Sequence, residues 1–346
     1  MTVDRKSWDR VKGFLSAGSF NGFTSDDLFI MNFIKKGWGQ DIAALSNMAE
    51  AVHLRYQAGS ISQKHALNLV RQIIRRAIHK TVSPYRSDIE EVNDLGAYGY
   101  YLEHLNIALG LAYELGATEF GNLNLRISEH LHHQSVMQKN AHARLIPHIK
   151  MRWSADQSAI LKSLWLCDKS HGSDLHREPT ERWLAHMASQ MTHPGTGLFE
   201  TEAMRVKRYS RQPRGCSISY MVHYMSSFAP EAANKQWQLF KEHMYDSRLG
   251  LCGFREYLPT YDGKWTPDSG PIVGGIGVAA TGLGLKAAYS LGDREMHAVL
   301  KRSVDRVLTI FHATQKIPGV GMFTSIGTDV LASAIYSNST PAVTAP

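Results

Sequence analysis

The stretch YYLEHLNIALGLAYELGATEFGNLNLRISEHL, residues 100–131, holds two helical patterns with a stop between them. Leu115-Gly116-Ala117-Thr118 breaks the first helix at a glycine, and Thr118 suits the first turn of a second. The same punctuation recurs at His171-Gly172-Ser173-Asp174, Phe228-Ala229-Pro230-Glu231 and Leu291-Gly292-Asp293-Arg294. The chain therefore reads as helical hairpins: 41–58 with 62–80, 94–115 with 118–138, 154–171 with 179–191, 215–228 with 231–246, and 272–291 with 293–312. A last helix near 327–338, together with an N-terminal arm, completes a sixth pair. Six pairs in two rings make an all-α (α/α)6 barrel, or toroid. First helices such as 272–291 are small and apolar all round, as an inner ring needs. Second helices such as 293–312, with Arg294, Lys301, Arg302 and Arg306, carry a charged outer face. An open solenoid repeats at fixed length, whereas these spacers differ widely. The expected organisation is an arm over 1–40 packing on the barrel, one catalytic barrel domain over 41–338, and a flexible tail over 339–346.

Two insertions stand out. Residues 193–214 and 247–271 are rich in Gly, Pro and aromatics, and read as small β-hairpins or long loops. Both lead into the N-terminus of an inner helix, which puts both on one rim. Long structured loops in a compact domain usually carry function.

Bulk composition narrows the classes. The 346 residues, 43% hydrophobic, can bury a large core. Three cysteines, Cys167, Cys216 and Cys252, form no C-x-x-C and no metal-ligand pairing, which argues for a reducing compartment. The charged N-terminus lacks an apolar leader core, so a cytoplasmic location is expected. No apolar run reaches membrane-spanning length. The net charge of +7 comes without aromatic interleaving, an RNP motif or zinc-finger spacing, so no nucleic-acid partner is expected. A small-molecule substrate is expected, and a homo-oligomer is left open.

The unusual polar residues gather at the starts of inner helices. Asp156 falls in the first turn of 154–171, beside Arg152 and Trp153. It either complements the helix dipole or aims into the cavity. Asp268, near Trp265, either caps the next inner helix or adds a second carboxylate to the same rim. Paired carboxylates in a cleft divide into acid and base roles. Arg255-Glu256 reads as an ion pair of neighbours, one member of which could reach ligand. Tyr98, Tyr101 and His104 recur at i, i+3, i+6, a shared face that offers a proton carrier with phenol partners. Arg214 and Tyr220 open the fourth inner helix, where Arg214 could anchor an anionic or hydroxylated group. Gly274-Gly275-Ile276-Gly277 follows no strand; it reads as close packing in the inner ring rather than a dinucleotide loop. The histidines show no metal spacing, so neither a metal nor another cofactor is expected.

Tyr101-Leu102-Glu103-His104-Leu105-Asn106-Ile107, followed by Gly110-Leu111, resembles the His-bearing inner helix of linalool dehydratase/isomerase. Ser163 to Asp174, continuing to Trp183-Leu184, is similar to that family's next hairpin, and the likeness spans about residues 95–300. The resemblance implies an (α/α)6 barrel that adds or removes water, or isomerises an allylic alcohol, without a metal. His, Tyr, Asp and Cys side chains act as acids and bases there. Only His104 carries over residue for residue. Asp156 stands where the family has an inner-helix cysteine, and the family's N-terminal Asp/Tyr/Cys cluster has no counterpart in 20–40.

The first functional expectation is thus a metal-free acid–base enzyme of the dehydratase/isomerase type, a lyase or isomerase acting on a small hydroxylated molecule in the barrel cavity. Asp156, His104, Asp268 and Tyr101 would be its catalytic groups. Tyr98, Trp153, Arg214, Tyr220, Arg255, Glu256 and Trp265 would bind substrate. The second expectation is a carbohydrate-active enzyme (glycoside hydrolase, polysaccharide lyase or sugar epimerase). It would use the same carboxylates, with Trp153 and Trp265 as stacking surfaces. The third is a non-enzymatic binding module.

Overall fold

A computed structural model describes residues 3–16, 40–203, 212–248, 250–261, 263–264, 266, 269–314 and 330–340. Among them are twelve α-helices: α1 (Val3–Ser16), α2 (Gln40–Gln57), α3 (Gln63–Ala77), α4 (Gly99–Leu115), α5 (Gly121–Val136), α6 (Ser154–His171), α7 (Arg177–Gln190), α8 (Gly215–Phe228), α9 (Pro230–Met244), α10 (Val278–Ser290), α11 (Arg294–Thr314) and α12 (Val330–Ser339). Helices α2, α4, α6, α8, α10 and α12 each pack on the next, and α12 closes on α2. That closed inner ring makes the molecule an (α/α)6 barrel. Around it α3 packs on α2, α5 on α4, α9 on α8 and α11 on α10. The first helix, α1, lies on the last, α12, and supplies the sixth outer position.

Local sequence explains the hairpins. Helix α4 stops at Gly116 and α6 at Gly172, both left-handed, and Pro230 opens α9 where a missing N–H costs nothing. Inner-ring contacts are locked by polar groups that satisfy one another. Buried Asn106 on α4 donates to Ser128 of α5 (2.8 Å) and Ser163 of α6 (3.1 Å), and accepts from Asn124 (2.7 Å). A matched network of this kind fixes register, because any slip strands a buried polar atom.

Two inner helices start later than the sequence reading put them, α4 at Gly99 rather than 94 and α10 at Val278 rather than 272. Helix α10 begins at Val278, and 272–277 forms a tiny antiparallel hairpin, β3 (Ile272–Val273) with β4 (Ile276–Gly277). Gly274 and Gly275 have φ of 59° and 89°, a left-handed pair that turns the chain back at once. The apolar run was a strand pair followed by a helix, and apolarity alone does not separate the two. A longer hairpin, β1 (Tyr245–Arg248) with β2 (Leu251–Phe254), precedes it and presses on α10. Residues 192–203 form a loop pinned by Thr192↔Phe199 and Trp153↔Glu202 bridges. The part of 193–214 beyond it, 204–211, lies outside the described residues.

Close approach sets the rim. A Cβ on Gly215 would lie 2.1 Å from the carbonyl oxygen of Arg255 and 2.7 Å from Cβ of Ala280. The Gly215 amide also donates to the Glu256 carbonyl (2.8 Å). Gly215→Ala is expected to destabilise the fold by about 3 kcal/mol, since neither backbone can retreat without losing that bond. Urea denaturation reads this directly; a change below about 0.5 kcal/mol contradicts the packing described.

Candidate active site

Each inner helix from α2 to α10 is followed by an outer helix that runs back, so the inner N-termini, that of α12 included, gather at one rim and the C-termini at the other. The dipoles favour anionic groups at the first rim and cations toward the second. The buried polar side chains of the ring fall in two layers.

The upper layer is built on α4, α6 and α8. Glu103 and His104 sit in the second turn of α4, Asp156 in the first turn of α6, and Tyr220 in the second turn of α8. Tyr220 Oη and His104 Nε2 share a 3.2 Å hydrogen bond. Tyr100 meets the His104 ring edge-on at 5.0 Å, and Tyr224 meets Tyr220 at 4.7 Å. The Glu103 carboxyl comes within 3.8 Å of His104 Nε2. Glu103 is fully buried, whereas Asp156 above it is half-buried. Burial first, and the facing Asp156 carboxyl second, raise Glu103 well above the ordinary carboxylate range, so it keeps a proton at neutral pH. Burial pushes His104 down to about 3, helped by Lys286, and the imidazole is therefore neutral. Burial, then Tyr224 and Glu103, keep the Tyr220 phenol protonated. The layer thus offers a protonated Glu103 carboxyl facing Asp156, with a neutral imidazole–phenol pair beside it.

The lower layer is built on α2, α8, α10 and α12, and shares only α8 with the upper one. Lys286 of α10 donates to Glu50 (2.6 Å) and Asn47 (2.9 Å) of α2. Asn338 of α12 donates to Glu50 (2.6 Å), and His223 of α8 bridges Glu50 (3.1 Å) and Ser290 (2.6 Å). Lys286 is fully buried and lies 5.1 Å from the Tyr224 ring. Although burial opposes it, Lys286 and His223 hold Glu50 well below the usual range, making this a buried ion pair. Four inner helices are stitched together here.

The sequence-predicted residues divide. His104, Asp156 and Tyr220 come together. Tyr101 does not join them: its hydroxyl donates to the Ala77 carbonyl (2.9 Å), toward α3. Positions i, i+3, i+6 drift around a helix of 3.6 residues per turn, so Tyr100, at i−4 from His104, is the phenol that meets it. Tyr98 packs edge-on against Tyr85 at the head of α4. Trp153 precedes α6, half-buried and bridged to Glu202.

The expected Arg255–Glu256 ion pair is replaced by two others. Arg255 binds Asp246 (2.8 Å), and Glu256 binds Arg214 (3.0 Å). Neighbours in extended backbone point to opposite faces, which separates them. Fully buried Glu256 also accepts from the amide (3.2 Å) and thiol (3.0 Å) of Cys216, so it acts as a cap for α8. Arg214 is held between Glu256 and Thr266 (2.6 Å) at the same helix start. Asp268 and Trp265 lie outside the described residues.

Glu103, Tyr100, Tyr224 and the Glu50–Lys286 pair were not singled out from sequence. A signal was there: Glu50 and Lys286 are single charges inside apolar runs, Met48-Ala49-Glu50-Ala51 and Leu285-Lys286-Ala287. Among the described residues, Asp168, Asp174 and His176 approach closely enough to share a cation. Asp168, however, already accepts from Ser173, from the amides of Leu175 and His176, and from the His176 ring. That trio staples the turn after α6.

No protein-family model matches the chain, and no curated protein matches it. Solved structures do resemble it. A family 105 glycoside hydrolase of C. acetobutylicum superposes with a TM-score of 0.59 at 11% identity, over 97% of this chain and 99% of that one. A family 76 α-mannanase of Bacteroides thetaiotaomicron gives 0.58 at 10% identity, over 97% and 94%. A polysaccharide lyase gives 0.54 at 10% identity, over 97% and 96%. At these identities the likeness is one of fold. It supports the barrel that the linalool dehydratase/isomerase resemblance implied, and lends that family's chemistry no support. No described helix is long and apolar enough to cross a membrane.

Proposed function

We propose that the chain is a carbohydrate-active enzyme that cleaves a glycosidic bond by acid–base chemistry at the upper-layer rim. The observation that carries this is the half-buried Asp156 carboxyl facing the fully buried Glu103, whose burial and acidic neighbour raise it well above the carboxylate range. Two acids sharing a proton can donate it to a leaving oxygen and take one back from water. Asp156 would be the catalytic group that meets the substrate. Glu103, shut off beneath it, is a positioning residue that supplies the shared proton. Neutral His104 and Tyr220 would hydrogen-bond a sugar hydroxyl, and Tyr100 and Trp153 would offer faces for a pyranose ring to stack on. The fold of the glycan-active structures above supports this class over the dehydratase/isomerase reading, though by analogy only.

The test is to incubate the protein with a panel of neutral and acidic oligosaccharides. New reducing ends report cleavage, and ultraviolet absorbance of unsaturated products reports elimination. Cleavage of a panel member is the expected result. Dehydration of an allylic alcohol by a protein that leaves every glycan intact would overturn the proposal.

A further inference from the structure

A concave site opens on the same rim, outside the His104 layer. The connections α3–α4 and α5–α6 enclose a cavity of about 470 Å³ lined by Lys80, Ser83, Tyr85, Arg86, Tyr98 and Ile146, among others. Both connections lead into inner-helix N-termini, so the cavity faces the same side as Asp156. Its two charged lining residues, Lys80 and Arg86, are both cations, and neither is ion-paired among the described residues. Asp88 accepts from the Glu90 amide (3.0 Å) and Asp94 from the Gly96 amide (2.8 Å), and neither lines the cavity. An anion seated in this concavity would meet both positive charges. Tyr98 places this cavity near the active site along α4. It forms the wall here and stands at the head of α4, two residues before Tyr100, which meets the His104 ring at 5.0 Å. Six residues of helix separate Tyr98 from His104, about 9 Å along the axis.

We infer that this cavity binds an anionic substituent, a carboxylate or sulfate, on a sugar of the glycan chain whose cleaved bond lies at Asp156. The inference rests on the glycan-cleaving reading and narrows it to acidic glycans. Lys80 and Arg86 supply the charge, and Tyr98 supplies a ring face for the sugar that bears it.

Cellotriose and its C6-oxidised counterpart, in which each hydroxymethyl group is a carboxylate, differ in little but charge. Each is titrated calorimetrically into the wild type and into the Lys80→Ala/Arg86→Ala double variant; both residues are exposed, so the fold is kept. The oxidised trisaccharide is expected to bind wild type about 10-fold more tightly at low salt, as two exposed pairs allow. That preference should shrink at high salt and vanish in the double variant. Equal binding of the two sugars by wild type, or a preference that survives in the variant, overturns the inference. Inorganic sulfate, titrated separately, reads the cavity without any sugar. Sulfate binding that the double variant loses, with neither sugar bound, supports the anion site and counts against the glycan reading. Silence from all three probes overturns the anion site.

Discussion

Asp156→Asn is expected to lower kcat by 10²- to 10⁴-fold, the usual contribution of a positioned acid–base group, while leaving thermal stability nearly unchanged. The side chain is half-buried in the first turn of α6, and asparagine keeps its size and shape. What it loses is the proton shared with Glu103. Glu103→Gln makes the sharper companion. Glu103 is raised well above the carboxylate range by burial first and by the Asp156 carboxyl second. The active dyad therefore carries one proton through neutral pH and loses it on the alkaline side, so activity falls as pH rises through that loss. With glutamine in place, no second acid resists the departure of the proton from the pair, and the alkaline limb moves to lower pH. A purely structural Glu103 would lower activity without moving the limb. Full pH–rate profiles of wild type and both variants check this; unaltered limbs in Glu103→Gln would contradict the proton-sharing role.

The largest expected effect on stability comes from the lower layer. Lys286→Met leaves Glu50 buried, ionised and short of its strongest partner, which is expected to cost about 3–5 kcal/mol. In a chain of this length that corresponds to a fall in Tm of roughly 5 °C. The pair is not expected to be worth that much in itself, because burying both charges has its own cost. The double variant Glu50→Gln/Lys286→Met should therefore recover most of the loss. Calorimetric melting of the wild type, the single and the double variant measures it. A single variant as stable as wild type would mean that Glu50 takes up a proton without penalty, against the hydrogen bonds it keeps with His223 and Asn338.

Most of the barrel was legible because its hairpins are punctuated chemically. Gly116, Gly172 and Pro230 mark real boundaries, and the helices fall where the apolar periodicity put them, within a few residues. The exception, 272–277, was misread because small apolar residues suit an inner helix and a two-residue turn alike. The site was half legible. His104, Asp156 and Tyr220 stand out as polar groups early in inner helices. Glu103 was passed over because an acid beside a histidine reads as an ordinary helix residue until the face it occupies is known. Glu50 and Lys286 lie 236 positions apart in the chain, and nothing local pairs them. Arg255 and Glu256 show the reverse error, since adjacency in sequence suggested a contact that extended backbone forbids.

The central claim is that the upper-layer rim is a glycan site, and binding tests it without requiring the right bond for cleavage. The Asp156→Asn protein, intact in fold and slow in chemistry, is titrated calorimetrically with the neutral and acidic oligosaccharides and with monoterpene alcohols. Saturable heat with an oligosaccharide, abolished by adding Tyr220→Phe and His104→Ala, is the result expected here. Heat from a monoterpene alcohol alone, with every sugar silent, would contradict the account and return the barrel to dehydratase/isomerase chemistry.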